Sequence, residues 1–218
     1  MVNLIKKDLK LGVHPLFLIM PVLTGALMFI PGWIYFIVIL YFCWITVPNM
    51  FNQFRSQNDL MFTSMMPVRK RDIVKARVFV IAGLEIAHIV VALVFGMITF
   101  RLYPDVNYIF FPPNLGFFGL CFAMLAIFNL IFLPIYYKTA YKFGMALLAS
   151  VVAATLFAGI AQWLGIQNSR LNGIFYGTEA HHVAQQAYIL IAGIALFLAL
   201  TAIGYRIALK RFLQVEIQ

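Results

Sequence analysis

Few side chains in this sequence can do acid–base or nucleophilic chemistry, and several of those lie in apolar runs. The acids are Asp8, Asp59, Asp72, Glu85, Asp105, Glu179 and Glu216. Glu85 and His88 stand three positions apart, so on a helix they share a face. A hydrogen-bonded pair there would keep the carboxyl tolerable in an apolar medium and could handle a proton or touch a cargo. It would serve equally as a structural pair facing a neighbouring helix. Asn129 and Gln162 occupy similar apolar runs and suit hydrogen bonds between helices. His181–His182 is a weak ligand set without a carboxylate or Cys partner, so no metal site is expected. Cys43 and Cys121 read as apolar filler. The phosphate-binding pattern G-x-x-x-x-G-K-[ST], the zinc pattern H-E-x-x-H and the nucleophile pattern G-x-S-x-G are all missing. No catalytic residue is assigned, and no cofactor is expected on this chain.

The elements that must carry these residues follow from composition. Of 218 residues, 64% are hydrophobic and only 11% charged. A soluble domain has about 25% charged residues, so this chain could not cover its own surface with polar groups. The composition excludes disorder and nucleic-acid binding of the soluble kind. The expected fold is an all-α integral membrane protein, one transmembrane domain over residues 1–218. A basic amphipathic helix, 1–10, would lie along the headgroups, with Leu4, Ile5 and Leu9 as its apolar stripe. Residues 11–51 carry no charge, too long a run for one crossing of about 20 residues. Pro31–Gly32 breaks it into spans at 11–30 and 33–51, the first bent by His14–Pro15 and Pro21. Four more spans are expected at 78–100, 115–136, 144–165 and 186–206, six in all.

Lys and Arg orient these spans. One side holds Lys6, Lys7, Lys10, Arg55, Arg69, Lys70, Arg71, Lys75, Arg77, Lys138, Lys142, Arg206, Lys210 and Arg211; the other holds only Arg101 and Arg170. Both termini and the loops 52–77 and 136–143 are therefore expected in the cytoplasm, with the chain multi-pass in the plasma membrane. The aromatic and Met content of the spans suits lipid contact and helix packing, and would also suit an amphipathic cargo.

The 52–77 loop is the most informative. Asn58 can cap a short helix through Met66, rich in large apolar residues (Leu60, Met61, Phe62, Met65, Met66), and Pro67 stops it. Such a helix on the cytoplasmic side would expose Met and Phe to water unless headgroups or a partner's groove covers them. Both readings stand on the residues alone.

Two motifs carry a resemblance. The run Asn58, Ser64, then Met65–Met66–Pro67–Val68–Arg69–Lys70–Arg71–Asp72–Ile73–Val74 is similar to the end of the first cytoplasmic loop in small permeases of type-2 ABC transporters, the group of bacitracin- and phenol-soluble-modulin-type exporters of Gram-positive bacteria. The segment Pro134–Ile135–Tyr136–Tyr137–Lys138–Thr139–Ala140–Tyr141–Lys142–Phe143–Gly144 resembles the family's stretch between spans four and five. Met65–Met66 replaces the family's usual Ser-Leu, a change a Met-filled groove tolerates.

The resemblance implies an ABC-2, type V exporter-like fold and a mechanism. Two permease chains, a homodimer in the simplest case, would each rest on a separate ABC ATPase subunit, two copies in all, which would bring ATP and Mg. The coupling contacts would be Asn58, Asp59, Leu60, Met61, Phe62, Ser64, Met65, Met66, Pro67 and Arg69 in the main helix, with Tyr137, Lys138 and Tyr141 in a smaller second one. The outer loop 166–185 would form a short re-entrant hairpin. The expected activity is export of amphipathic or hydrophobic compounds such as cytolytic or antimicrobial peptides. A rival expectation is a self-contained proton-linked transporter or channel using Glu85 and His88.

Overall fold

The computed structural model describes the chain except His14, Pro104, Asp105, Asn107, Ala140, Tyr141 and residues 216–218, with residues 15–18 described by their backbone alone. Among the described residues all regular structure is helical. The chain opens with α1 (Val2–Gly12), α2 (Pro15–Gly25) and a 3₁₀ turn, Ala26–Phe29. Next come α3 (Phe36–Tyr41), a π-helical turn (Phe42–Thr46) and α4 (Val47–Ser56), which together form one continuous rod. Then follow α5 (Asp59–Met65), α6 (Lys70–Leu102), α7 (Leu115–Thr139), α8 (Gly144–Gln167), α9 (Ser169–Tyr176) and α10 (Ala180–Leu213).

Five of these rods are long and apolar enough to cross a bilayer: Phe36–Ser56, α6, α7, α8 and α10. The first apolar run differs from the expected span over 11–30. It is an 11-residue helix with Pro21 inside, followed by the 3₁₀ turn, and is shorter than a single crossing requires. Thr99 ties that turn to α6, its hydroxyl donating to the Met28 carbonyl at 2.8 Å. The π turn lies just ahead of Pro48, which has no N–H to give the preceding turn, so the ladder widens there.

Helix α7 is the central post, with 72% of its most apolar stretch buried, against 22% for α8 and for α10. It lies against α10 along most of its length. Two glycines permit this. A Cβ on Gly119 would sit 2.5 Å from the Ile189 carbonyl oxygen, and one on Gly193 would collide with the backbone of Gly119. Small residues at the seam let the helix backbones touch, as membrane helices require where lipid is as apolar as leucine. The remaining faces are apolar and outward. Phe79, Ile86, Val90, Val94 and Met97 make an exposed stripe on α6, and Leu148, Val152, Leu156, Ile160 and Trp163 make one on α8. A chain with apolar stripes outside and polar side chains inside is built for lipid surroundings.

Both α6 and α10 outrun the expected spans. At 33 residues α6 is about 50 Å long, well beyond a hydrocarbon core of about 30 Å. Its first two turns hold Arg77 beside α1 and α5. The last turn of α10 returns to the same end, where Lys70 lies over the Phe212 ring and donates to the Val215 carbonyl.

Candidate coupling site

At this end four charges meet in the interior. The Arg77 guanidinium is fully buried and donates twice to Asp8, from Nε to Oδ2 at 2.8 Å and from Nη2 to Oδ1 at 3.2 Å. Nη2 also donates to Asp59 Oδ2 at 2.5 Å. Lys7 Nζ donates to the other Asp59 oxygen at 2.5 Å and to the Thr63 hydroxyl at 2.6 Å, and lies 3.2 Å from Asp8. The Phe54 ring closes the cluster, its centroid 3.5 Å from the guanidinium carbon. Two cations and two carboxylates balance, as charges withdrawn from water must. Burial alone would raise the Asp59 carboxyl. The Arg77 guanidinium, together with the ammonium of Lys7, outweighs it and holds Asp59 below its ordinary value.

The junction joins four elements: α1 through Lys7 and Asp8, α4 through Phe54, α5 through Asp59 and Thr63, and α6 through Arg77. Of the stripe expected for residues 1–10, Leu4 is buried, and the buried row of α1 is Leu4–Asp8–Gly12, with an acid at its centre. Gly12 is required there, because a Cβ would collide with the Phe54 ring.

The structure divides the expected contacts of the short loop helix between two faces. Asp59, Leu60 and Thr63 point inward and are buried. Phe62 and Met65 are 64% and 72% exposed, and Met61 joins them on the outside. Met66 is half-buried; its extended backbone ends the helix before Pro67, as the proline dictates. Asn58 occupies the N-cap position without capping through its side chain. It bends the backbone instead, with φ of 48°, a left-handed conformation Asn tolerates better than most residues. Ser64 donates to the Met61 carbonyl, and Arg69 pairs with Asp72 at the surface.

The second expected segment is partly helical. α7 continues to Thr139, which turns Tyr137 wholly into the interior against Phe212, while Lys138 is exposed. Tyr137 is thus a packing residue at the back of the junction. Tyr141 lies outside the described residues.

Within the membrane rods, Glu85 and His88 are buried on one face of α6 but do not bond to each other. Glu85 Oε2 accepts from Asn129 Nδ2 at 2.7 Å, and Asn129 also reaches the Thr201 hydroxyl at 3.2 Å, so one amide links α6, α7 and α10. His88 Nε2 meets the Val38 carbonyl at 2.8 Å instead. Glu85 Oε1 and His88 Nδ1 have no hydrogen-bond partner among the described residues. Gln162 accepts from the Phe111 amide at 3.4 Å.

The arrangement is a short helix, apolar on its outer face, clamped by buried charges at one end of five rods long and apolar enough to cross a bilayer. The family profile described as ABC-2 family transporter protein matches residues 3–212. The chain belongs to the ABC-2 transporter family. ABC-2 permeases are generally non-catalytic, multi-pass membrane subunits that work with an ABC ATPase. No curated protein and no solved structure matches the chain. In this ABC-2 permease the pairing of Asp59 with Lys7 and Arg77 is not legible in the sequence, since 52 and 18 residues separate Asp59 from them. The one available signal was scarcity: with seven acids in the chain, an acid inside an amphipathic helix invites a search for its counter-ion.

Proposed function

We propose that this chain is the transmembrane subunit of an ATP-driven exporter of amphipathic or hydrophobic compounds, crossing the plasma membrane six times with both termini cytoplasmic. The shorter helix over 15–29 would supply the sixth crossing together with the residues around it. Two such chains pair as a homodimer, each seated on a separate ATPase subunit that holds ATP and Mg. The observation that carries the reading is the two-faced α5. Its outer face, Met61, Phe62 and Met65, fits a groove on the ATPase. Its inner face, Asp59 and Thr63, is bonded to α1 and α6. A push on α5 therefore reaches the start of α6 through Arg77 without a flexible linkage.

The cargo class is supported by a groove of about 390 Å³ between α6 and α10, lined by Phe79, Ala82, Ile86, Leu198 and Ala202, with Lys75 at its cytoplasmic rim. An open apolar groove with one cation at its edge suits an amphipathic compound with an anionic end.

The test is reconstitution. The purified chain alone should hydrolyse no ATP, and native pull-down should bring an ATPase subunit with it. Phe62→Asp combined with Met65→Asp should remove that subunit while leaving membrane insertion intact. Co-purification at the normal level would refute the role of α5.

A further inference from the structure

At the opposite end of the molecule, α9 turns into α10 through a corner containing two histidines and a carboxylate. Glu179 is the N-cap residue of α10, and His181 and His182 follow in its first turn. The Glu179 side chain makes no capping bond to the helix and lies instead beside the His181 imidazole. One ligand atom from each lies within 4.8 Å of the others. His181 Nδ1 is 3.2 Å from Glu179 Oε2, and the two imidazole rings lie side by side with centroids 3.7 Å apart. This supplies the carboxylate that the sequence reading of His181–His182 lacked.

The site is built rather than incidental on the His182 side. Nδ1 of His182 is shielded from solvent and has no hydrogen-bond partner among the described residues. Its ring occupies the space a side chain on Gly177 would need, since a Cβ there would collide with the imidazole. Gln186, itself buried, fixes the seat by donating to the carbonyls of Ile174 at 2.8 Å and Gly177 at 3.1 Å.

We infer that Glu179, His181 and His182 form a binding site for a divalent transition-metal ion of the zinc type. Two imidazole nitrogens and one carboxylate oxygen are a zinc-type donor set with a fourth position left for water. Bonds of about 2.0–2.1 Å place tetrahedral ligands about 3.3 Å apart, so the donors close by at most roughly 1.5 Å, within the reach of rotamer changes at the exposed Glu179 and His181. The bound ion would pin the first turn of α10 next to Gly177. Gly177, Val183 and Gln186 also line an adjoining cavity of about 310 Å³ with Arg101 on its wall.

The test uses the full chain, free of any histidine tag, in detergent or nanodiscs, with Zn²⁺ measured by equilibrium dialysis and Co²⁺ by visible absorption. The wild type should bind one Zn²⁺ per chain and show the intense absorption of tetrahedral Co²⁺. His182→Gln should weaken Zn²⁺ at least tenfold with helix content unchanged by circular dichroism. Gly177→Ala keeps all three ligands but displaces the ring, and should weaken binding as well; full-strength binding by that variant would overturn the assignment of His182. Zn²⁺ uptake by the wild type no greater than that of a Glu179→Gln, His181→Asn, His182→Gln triple variant would overturn the site.

Discussion

Arg77 is the residue on which the most depends. It is buried, contacts two acids and stacks on Phe54, so no water can replace what it gives. Arg77→Met would leave Asp8 and Asp59 buried with only Lys7 for company, and breaking a buried pair from one side costs about 3–5 kcal/mol. Arg77→Lys should also fail, since an ammonium cannot present the planar fork that binds Asp8 twice. Both should lower the melting temperature in detergent, whereas Arg69→Ala, at an exposed pair, should leave it unchanged. The pH dependence has a definite sign. Because Asp59 is held below its ordinary value, its contribution is fully present above the unfolded carboxyl value of about 3.9 and is lost as pH falls through the lower folded value. Proteolytic cleavage within 52–77 should therefore stay constant from neutral pH down to roughly pH 5 and rise only in stronger acid. Glu85→Gln keeps an oxygen for Asn129 to donate to, so the α6–α7 link should survive. If that variant exports at the wild-type rate across a pH series, the proton-linked role of Glu85 is excluded.

At the scale of the element, α5 is defined by its two ends. Asn58 sits at φ 48°, where a β-branched residue is strained, so Asn58→Ile should destabilise the loop by about 1–2 kcal/mol while Asn58→Gly is tolerated. Hydrogen exchange in 58–66 would register both. Much of this element was legible in the sequence: Pro67 fixes the stop, and the run of Met and Phe marks an exposed apolar face. Which residues face outward was not legible, because that depends on Lys7 and Arg77, brought in from other helices. The end of α7 differs from the expected one for a local reason. The pattern around Tyr137 marks a motif, but whether α7 ends before it or runs through it is decided by packing against α10. Glu85 and His88 lie on one face of α6, as their spacing requires, yet each bonds to a different neighbour, Asn129 and the Val38 carbonyl. Periodicity specifies a face, not a partner.

For the whole molecule, hydropathy predicts a membrane chain of six spans; five of them are rods long and apolar enough to cross a bilayer, and the first apolar run forms the shorter apolar helix Ile19–Phe29. The hidden component was the seam between α7 and α10, where Gly119 and Gly193 touch backbone to backbone. Gly193→Leu should separate these helices and reduce the yield of monodisperse protein, while Gly159→Leu, facing open space, should not. The account as a whole rests on force entering at α5. Its most direct test places a photoreactive benzoylphenylalanine at Met65 and irradiates the native complex in its membrane. The account predicts a crosslink to an ATPase subunit from position 65 and none from Tyr188, which is exposed on α10 far from α5. Crosslinking from position 65 to lipid alone, with the ATPase present and active, would contradict it.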